Sequence, residues 1–305
     1  MIVLPAFLGL SVALQLHALN ANPGTGDPLI LWYTRPASNW NEALPIGNGR
    51  LGAMIYGGIG TEMIQLNEET VWAGEPGNNL QPELREALPE IRQLIFSGAC
   101  QDAQDRVNAI IPRAPKAGNN YGMPYQPVGN LILTFPDSSG ITAYRRSLDI
   151  GQAVANVTYV SHHVQYKREM IASLDHDVIG IAISADRPGA VSCTLQLNTP
   201  HTNSDIHISD NTLILKGTSD DHENKRGRVA FTTLVKPQCF GGHLAASEHA
   251  LTVTGADSLV IWISTGTNFR HYNDLSGNPD KQALGLLDSV RDLSFRSVCR
   301  AHTRK

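Results

Sequence analysis

Between Leu131 and Asn198 the chain repeats one theme six times: a short run rich in β-branched and aromatic residues, closed at each end by turn formers, at roughly ten-residue spacing. Within these runs Val157, Tyr159, Val164, Tyr166 and Arg168 fall on every second position, the period of a half-buried strand. A chain with that rhythm cannot bury its apolar positions on one helix face. It must pair strands and close two sheets on each other, so the expected fold class is mainly β, a large antiparallel β-sandwich with a small helical insertion. The 305 residues are ample for a single large domain of this kind.

One stretch competes with that reading. Gly47-Asn48-Gly49-Arg50-Leu51-Gly52 spells G-x-G-x-x-G, the pattern that holds a pyrophosphate when a strand leads in and a helix opens on the glycines. Here Pro45 precedes it, and Ala53 to Gly58 is short, β-prone and closed by two glycines. That is a strand and a turn, so the glycines are expected to bend a tight hairpin. A kinase glycine loop fails too, because the next lysine is Lys116 and no V-A-I-K or H-R-D follows.

The rest of the chain fits around the strands. Leu29 to Tyr33 and Glu62 to Leu66 read as strands, as do Val229 to Val235, Leu251 to Thr254 and Leu259 to Ser264. Leu84, Leu88, Ile91, Leu94 and Ile95 recur at helical intervals from Pro82 to Phe96, with Pro89 placed to kink or divide that helix. A second helix is expected from Ala99 to Ile110, stopped by Pro112, and the pair is read as an insertion capping one end of the sheets. Helical period returns from Asp280 to Lys305. Ala114 to Pro127 and Asn268 to Pro279 read as loops, and Ser219 to Lys225 as a solvated hairpin loop without calcium-loop spacing.

Composition narrows the function classes. Charged residues make up 17 % and the net charge is −4, which points away from nucleic acid and from anionic membrane surfaces. The cysteines Cys100, Cys193, Cys239 and Cys299 lack C-x-x-C spacing, so no zinc site is expected; Cys193 and Cys239 could bridge, or all four could stay free. His201, Asp205 and His207 lie in a polar run read as a loop, not as a metal site, and no cofactor is expected. Ile2 to Leu16 is uncharged and mostly apolar, too short to span a membrane, and ends near Ala18 and Ala21. Residues 1–21 are read as a signal peptide, although its start lacks Lys or Arg, which makes the expected location secreted or periplasmic.

Trp40 to Gly74, read with Pro124-Tyr125-Gln126-Pro127-Val128-Gly129-Asn130-Leu131 and Tyr144 to Asp149, resembles the N-terminal β-sandwich domain of glycoside hydrolase family 95, the inverting α-L-fucosidases. The likeness spans about Leu29 to Asn278 and is strongest in these stretches, Ile64-Gln65-Leu66-Asn67-Glu68-Glu69-Thr70-Val71-Trp72-Ala73-Gly74 among them. The resemblance implies a sandwich domain over residues 22–278 and the start of a linker helix over 279–305, with the catalytic (α/α)6 barrel absent from this chain. It implies fucosylated oligosaccharide or polysaccharide as the partner, met through that barrel. Asn130 stands where the family often has Asp, and Ser161-His162-His163 replaces a glycine-bearing turn. Family members acting on α-L-galactosides share the domain, so the substrate class stays open.

Glycoside hydrolysis uses two carboxyl groups, about 6.5 to 9.5 Å apart in inverting enzymes. Glu42, Glu68, Glu69, Glu75 and Asp137 are candidates, but no spacing among them marks a pair, and neighbours Glu68 and Glu69 on a strand would face opposite ways. No catalytic residue is therefore assigned. Trp40, Asn41, Trp72, Tyr125 and Gln126 are the types that stack on and hydrogen-bond to sugar, and are the candidate substrate-binding set. The competing role for Trp40 and Trp72, anchoring a neighbouring barrel, is the one the sequence favours. A stand-alone carbohydrate-binding module is the alternative for the whole chain.

Overall fold

The structure, a computed structural model, describes residues 29–76, 82–111, 122–222 and 225–304. The expected signal peptide and Pro112 lie outside these residues.

Two antiparallel sheets face each other. The strands, in chain order, are β1 (Ile30–Tyr33), β2 (Leu44–Gly47), β3 (Leu51–Ile55), β4 (Thr61–Glu68), β5 (Gly129–Thr134), β6 (Ile141–Asp149), β7 (Val154–Ser161), β8 (Val164–Ala172), β9 (Ile179–Ala185), β10 (Val191–Asn198), β11 (Ser204–Ser209), β12 (Thr212–Thr218), β13 (Ala230–Phe240), β14 (His243–Ala246), β15 (Leu251–Ala256) and β16 (Ser258–Thr267). Nine form one sheet in the order β1-β6-β7-β8-β9-β16-β13-β12-β11, and seven form the other in the order β14-β15-β10-β5-β4-β3-β2. Alternation places Ile64, Leu66, Leu131, Leu133, Leu195 and Val253 of the smaller sheet against Met170, Ile181, Leu215, Phe231 and Ile261 of the larger. Each such aliphatic side chain, fully removed from water, contributes about 1.5–3 kcal/mol before chain entropy is counted.

Among the inward residues one ion pair crosses the sandwich. Arg168 on β8 and Glu62 on β4 are both fully buried and meet at 3.0 Å. Neither is left with a bare charge: Gly57 donates its N–H to Glu62, and Arg168 donates to the Gly58 and Ile59 carbonyls and to the Tyr159 hydroxyl. The guanidinium also lies 4.0 Å from the Phe135 ring centre.

The outer face of the larger sheet is covered by α3 (Pro279–Asp288) and α4 (Phe295–His302), which the sequence read as one helical stretch. Asn278 and Ser294 cap them by accepting from Lys281 and Ser297. Trp262, Val260 and Ile171 from the sheet pack with Val290 and Val298. Gly180 makes room for this layer, since a Cβ there would sit 2.6 Å from the Trp262 ring.

α1 (Pro82–Phe96) and α2 (Cys100–Ile110) appear where expected, with Pro89 inside an undivided α1. They do not cap the sheets. Ala87, Ile91 and Ala103 form a small core of the hairpin's own, separate from the sandwich interior, and Phe96 at its tip is 86 % exposed. A second correction concerns residues 204–218. The run holding Asp205 and His207 is edge strand β11, paired with β12 through a turn at Asp210-Asn211, where both residues have positive φ.

Leu29 and His302 converge on the β6–β7 turn: the Leu29 carbonyl accepts from the Ile150 N–H, and His302 Nε2 donates to the Ala153 carbonyl at 3.2 Å.

Candidate functional site

The G-x-G-x-x-G stretch is a hairpin between β2 and β3, with Gly47 paired to Gly52. No helix opens on it. Pro45 is tolerated because β2 is an edge strand, and Gly49 takes the positive φ of +94° that the turn requires. Asn48 fixes the turn from within: its Oδ1 accepts from the Arg50 and Leu51 N–H groups at 3.0 and 2.7 Å, and its amide donates to the Ser173 carbonyl of the opposite sheet.

This turn forms one wall of an open recess of about 360 Å³ at the end of the sandwich, lined by Gly49, Arg50, Leu51, Gly52, Glu69, Trp72 and Tyr125. The other wall comes from the segments just after β4 and just before β5, joined by a bridge between Trp72 and Tyr125. Their rings pack edge to face with centroids 5.3 Å apart, and each residue stays roughly two-fifths exposed. The Trp72 indole N–H donates to the Glu69 carbonyl and the Tyr125 hydroxyl to the Glu68 carbonyl, so both rings are held from behind.

The charges beneath the recess are mostly neutralised within the fold. Arg50 approaches Glu68 at 3.3 Å and Asp177 at 3.8 Å, and donates to the Thr265 and Asp177 carbonyls. Glu68 is buried and also accepts from the Thr70 N–H and hydroxyl. Burial pushes the Glu68 carboxyl above the usual carboxylate range, against the opposing pull of Thr70 and Arg50. Burial, with the Glu68 charge added, lifts the Tyr125 hydroxyl to about 12, so it remains a neutral donor. Glu69 alternates to the solvent side, as expected for its place beside Glu68. Among the described residues its carboxylate meets no hydrogen-bond or ion-pair partner.

Of the five candidate sugar-contact residues, the structure brings Trp72 and Tyr125 together. Trp40 and Asn41 lie in a single 3-10 turn, Trp40–Glu42, that precedes β2 and so sits at the opposite end of that strand from Gly49. Gln126 turns away from the recess, donating to the Asp220 carboxylate at 2.7 Å and accepting from the Asp220 N–H. Arg50 was not singled out in the sequence as a site residue. Its position inside the glycine turn was visible there, but its reach to Thr265, 215 positions away, was not.

The sequence family described as "Glycosyl hydrolase family 65, N-terminal domain" matches residues 31–272. The chain is 30 % identical over 316 aligned positions to "Alpha-L-fucosidase 2" of Arabidopsis thaliana, covering 94 % of this chain and 36 % of that protein. It is 32 % identical over 295 positions to the protein named "Probable alpha-fucosidase A" in Aspergillus niger, covering 90 % and 36 %. The chain thus spans about a third of the length of the curated relatives it matches. A solved structure from the human microbiome, named as a kojibiose phosphorylase, shares the fold with a TM-score of 0.50 at 10 % identity, over 91 % of this chain and 37 % of that one.

Proposed function

Because this chain belongs to the family of glycosyl hydrolase family 65 N-terminal domains, we propose that it is the non-catalytic sandwich of an inverting α-L-fucosidase-like hydrolase of family 95. The whole enzyme would release terminal α-L-fucosyl residues from glycans, with the catalytic carboxyls supplied by a barrel outside these residues. The observation that carries the reading is the acid inventory of the recess. Glu69 is its single lining acid, while Glu68 behind it is committed to Thr70 and Arg50. One free carboxylate does not run a reaction that needs a proton donor on one side of the bond and a base on the other.

The relatives' names supply the sugar: two of them are α-fucosidases over most of this chain. At the β6–β7 turn, where His302 of α4 docks, Leu29 and Ile150 expose apolar side chains of the kind an adjoining domain would cover. Residues 1–21, with their apolar run, support export to a secreted or periplasmic location. Purified chain given an aryl α-L-fucoside is expected to show no release above the buffer rate. Turnover that survives extensive purification and is lost in Glu69→Gln would refute the non-catalytic assignment.

A further inference from the structure

We propose that the recess is a binding subsite for one neutral sugar residue, with the Trp72–Tyr125 pair as its apolar platform and Glu69 as its hydroxyl acceptor. The inference rests on the reading of the chain as a glycosidase domain for its ligand class, but its geometry stands independently. A pyranose offers a face of C–H groups and a rim of hydroxyls. It is recognised by an exposed aromatic surface beside an acceptor that is not already hydrogen-bonded.

The recess has both parts. The Trp72 and Tyr125 rings are exposed yet fixed by their own N–H and O–H bonds to the Glu69 and Glu68 carbonyls, so little side-chain freedom remains to be lost on binding. Glu69 is among the residues lining the same space, and its carboxylate has no hydrogen-bond or ion-pair partner among the described residues. On the opposite wall Gly49 and Gly52 add no side chain to those of Arg50 and Leu51, and nothing lies within 4 Å of where a Gly49 Cβ would stand. The volume of about 360 Å³ suits a single sugar ring.

Charge selects the class. Arg50 is matched by Glu68 and Asp177, which leaves Glu69 as the lining acid without an ion-pair partner among the described residues. Uronates, sulfated sugars and phosphates are therefore disfavoured, and a neutral residue with vicinal hydroxyls is favoured. Gln126, taken up by Asp220, and Trp40, at the other end of β2, take no part.

The test is binding by the whole chain, followed by NMR saturation transfer and tryptophan fluorescence, with methyl α-L-fucoside, methyl α-L-galactoside, methyl β-D-glucoside and glucuronate as probes. At least one neutral glycoside should bind. Glu69→Gln should weaken it about tenfold and Trp72→Ala should abolish it, while Trp40→Ala should leave it unchanged; circular dichroism checks that each variant is folded. Absence of binding by every neutral probe, equal affinity in Glu69→Gln, or preferential binding of glucuronate would overturn the subsite. Binding of the galactoside or glucoside but not the fucoside, still dependent on Glu69 and Trp72, would keep the subsite and sink the fucosidase reading. Loss of the subsite with the chain still inert toward aryl fucoside would do the reverse.

Discussion

Glu62 and Arg168 meet in the sandwich interior without any contact with solvent, and such a pair responds asymmetrically to change. Removing one partner strands the other's charge, which costs about 3–5 kcal/mol, whereas removing both can approach neutrality. Arg168→Met and Glu62→Gln should each lower the urea-unfolding free energy by that amount. The double variant should lose clearly less than the sum, and strict additivity in the cycle would show that the pair is not coupled. From sequence, Arg168 was legible only as an alternating strand position. That it points inward, and finds Glu62 106 positions earlier, depends on the register between two sheets that no local pattern encodes. Glu68 and Glu69 were more readable, because strand geometry alone puts neighbours on opposite sides. Which of the two faces the recess needed the turn at Thr70.

At the level of elements, strand runs flanked by turn formers were found almost where they lie, since β6 to β10 obey period two and end at glycine, proline or polar pairs. β11 was missed for a physical reason. As an edge strand it keeps Asp205 and His207 on one face, hydrogen-bonded at 2.6 Å and substantially exposed, so its polarity resembled a loop. The Asp210-Asn211 turn was the signal that could have revealed it. The α1–α2 hairpin shows the opposite failure: its helices were plain in sequence, but their partner was assumed. Because its apolar residues pack among themselves, replacing residues 82–111 with a short glycine-serine linker should leave a sandwich that melts cooperatively within a few degrees of the parent. A collapse of the transition would mean that the hairpin supports the sheets after all.

For the molecule as a whole, stability depends on pH through groups the fold has shifted in opposite directions. Asp280 is held below the usual range by Lys216 and Thr232, so its contribution is present above the unfolded value and fades as pH falls through the folded one. Glu68, raised by burial, works the other way: its contribution is complete below about pH 4, the unfolded range, and is lost as pH rises through its folded value. Urea titrations of the parent and of Glu68→Gln should therefore show the parent's relative advantage greatest near pH 4 and smaller at pH 7. An advantage that grows with pH would show that Arg50 and Thr70 outweigh burial. The two-sheet architecture and the family were legible in sequence because both rest on pattern, whereas the recess arises only where two distant turns meet.

The meeting of Leu29 and His302 at the β6–β7 turn has a further consequence. That turn opens on the same rim of the sandwich as the glycine hairpin, since Asn48 in the hairpin donates to the Ser173 carbonyl just past β8, whose end lies beside the start of β7. Leu29, His302 and the Trp72–Tyr125 recess thus share one end of the sandwich, and the His162-His163 turn closes the other.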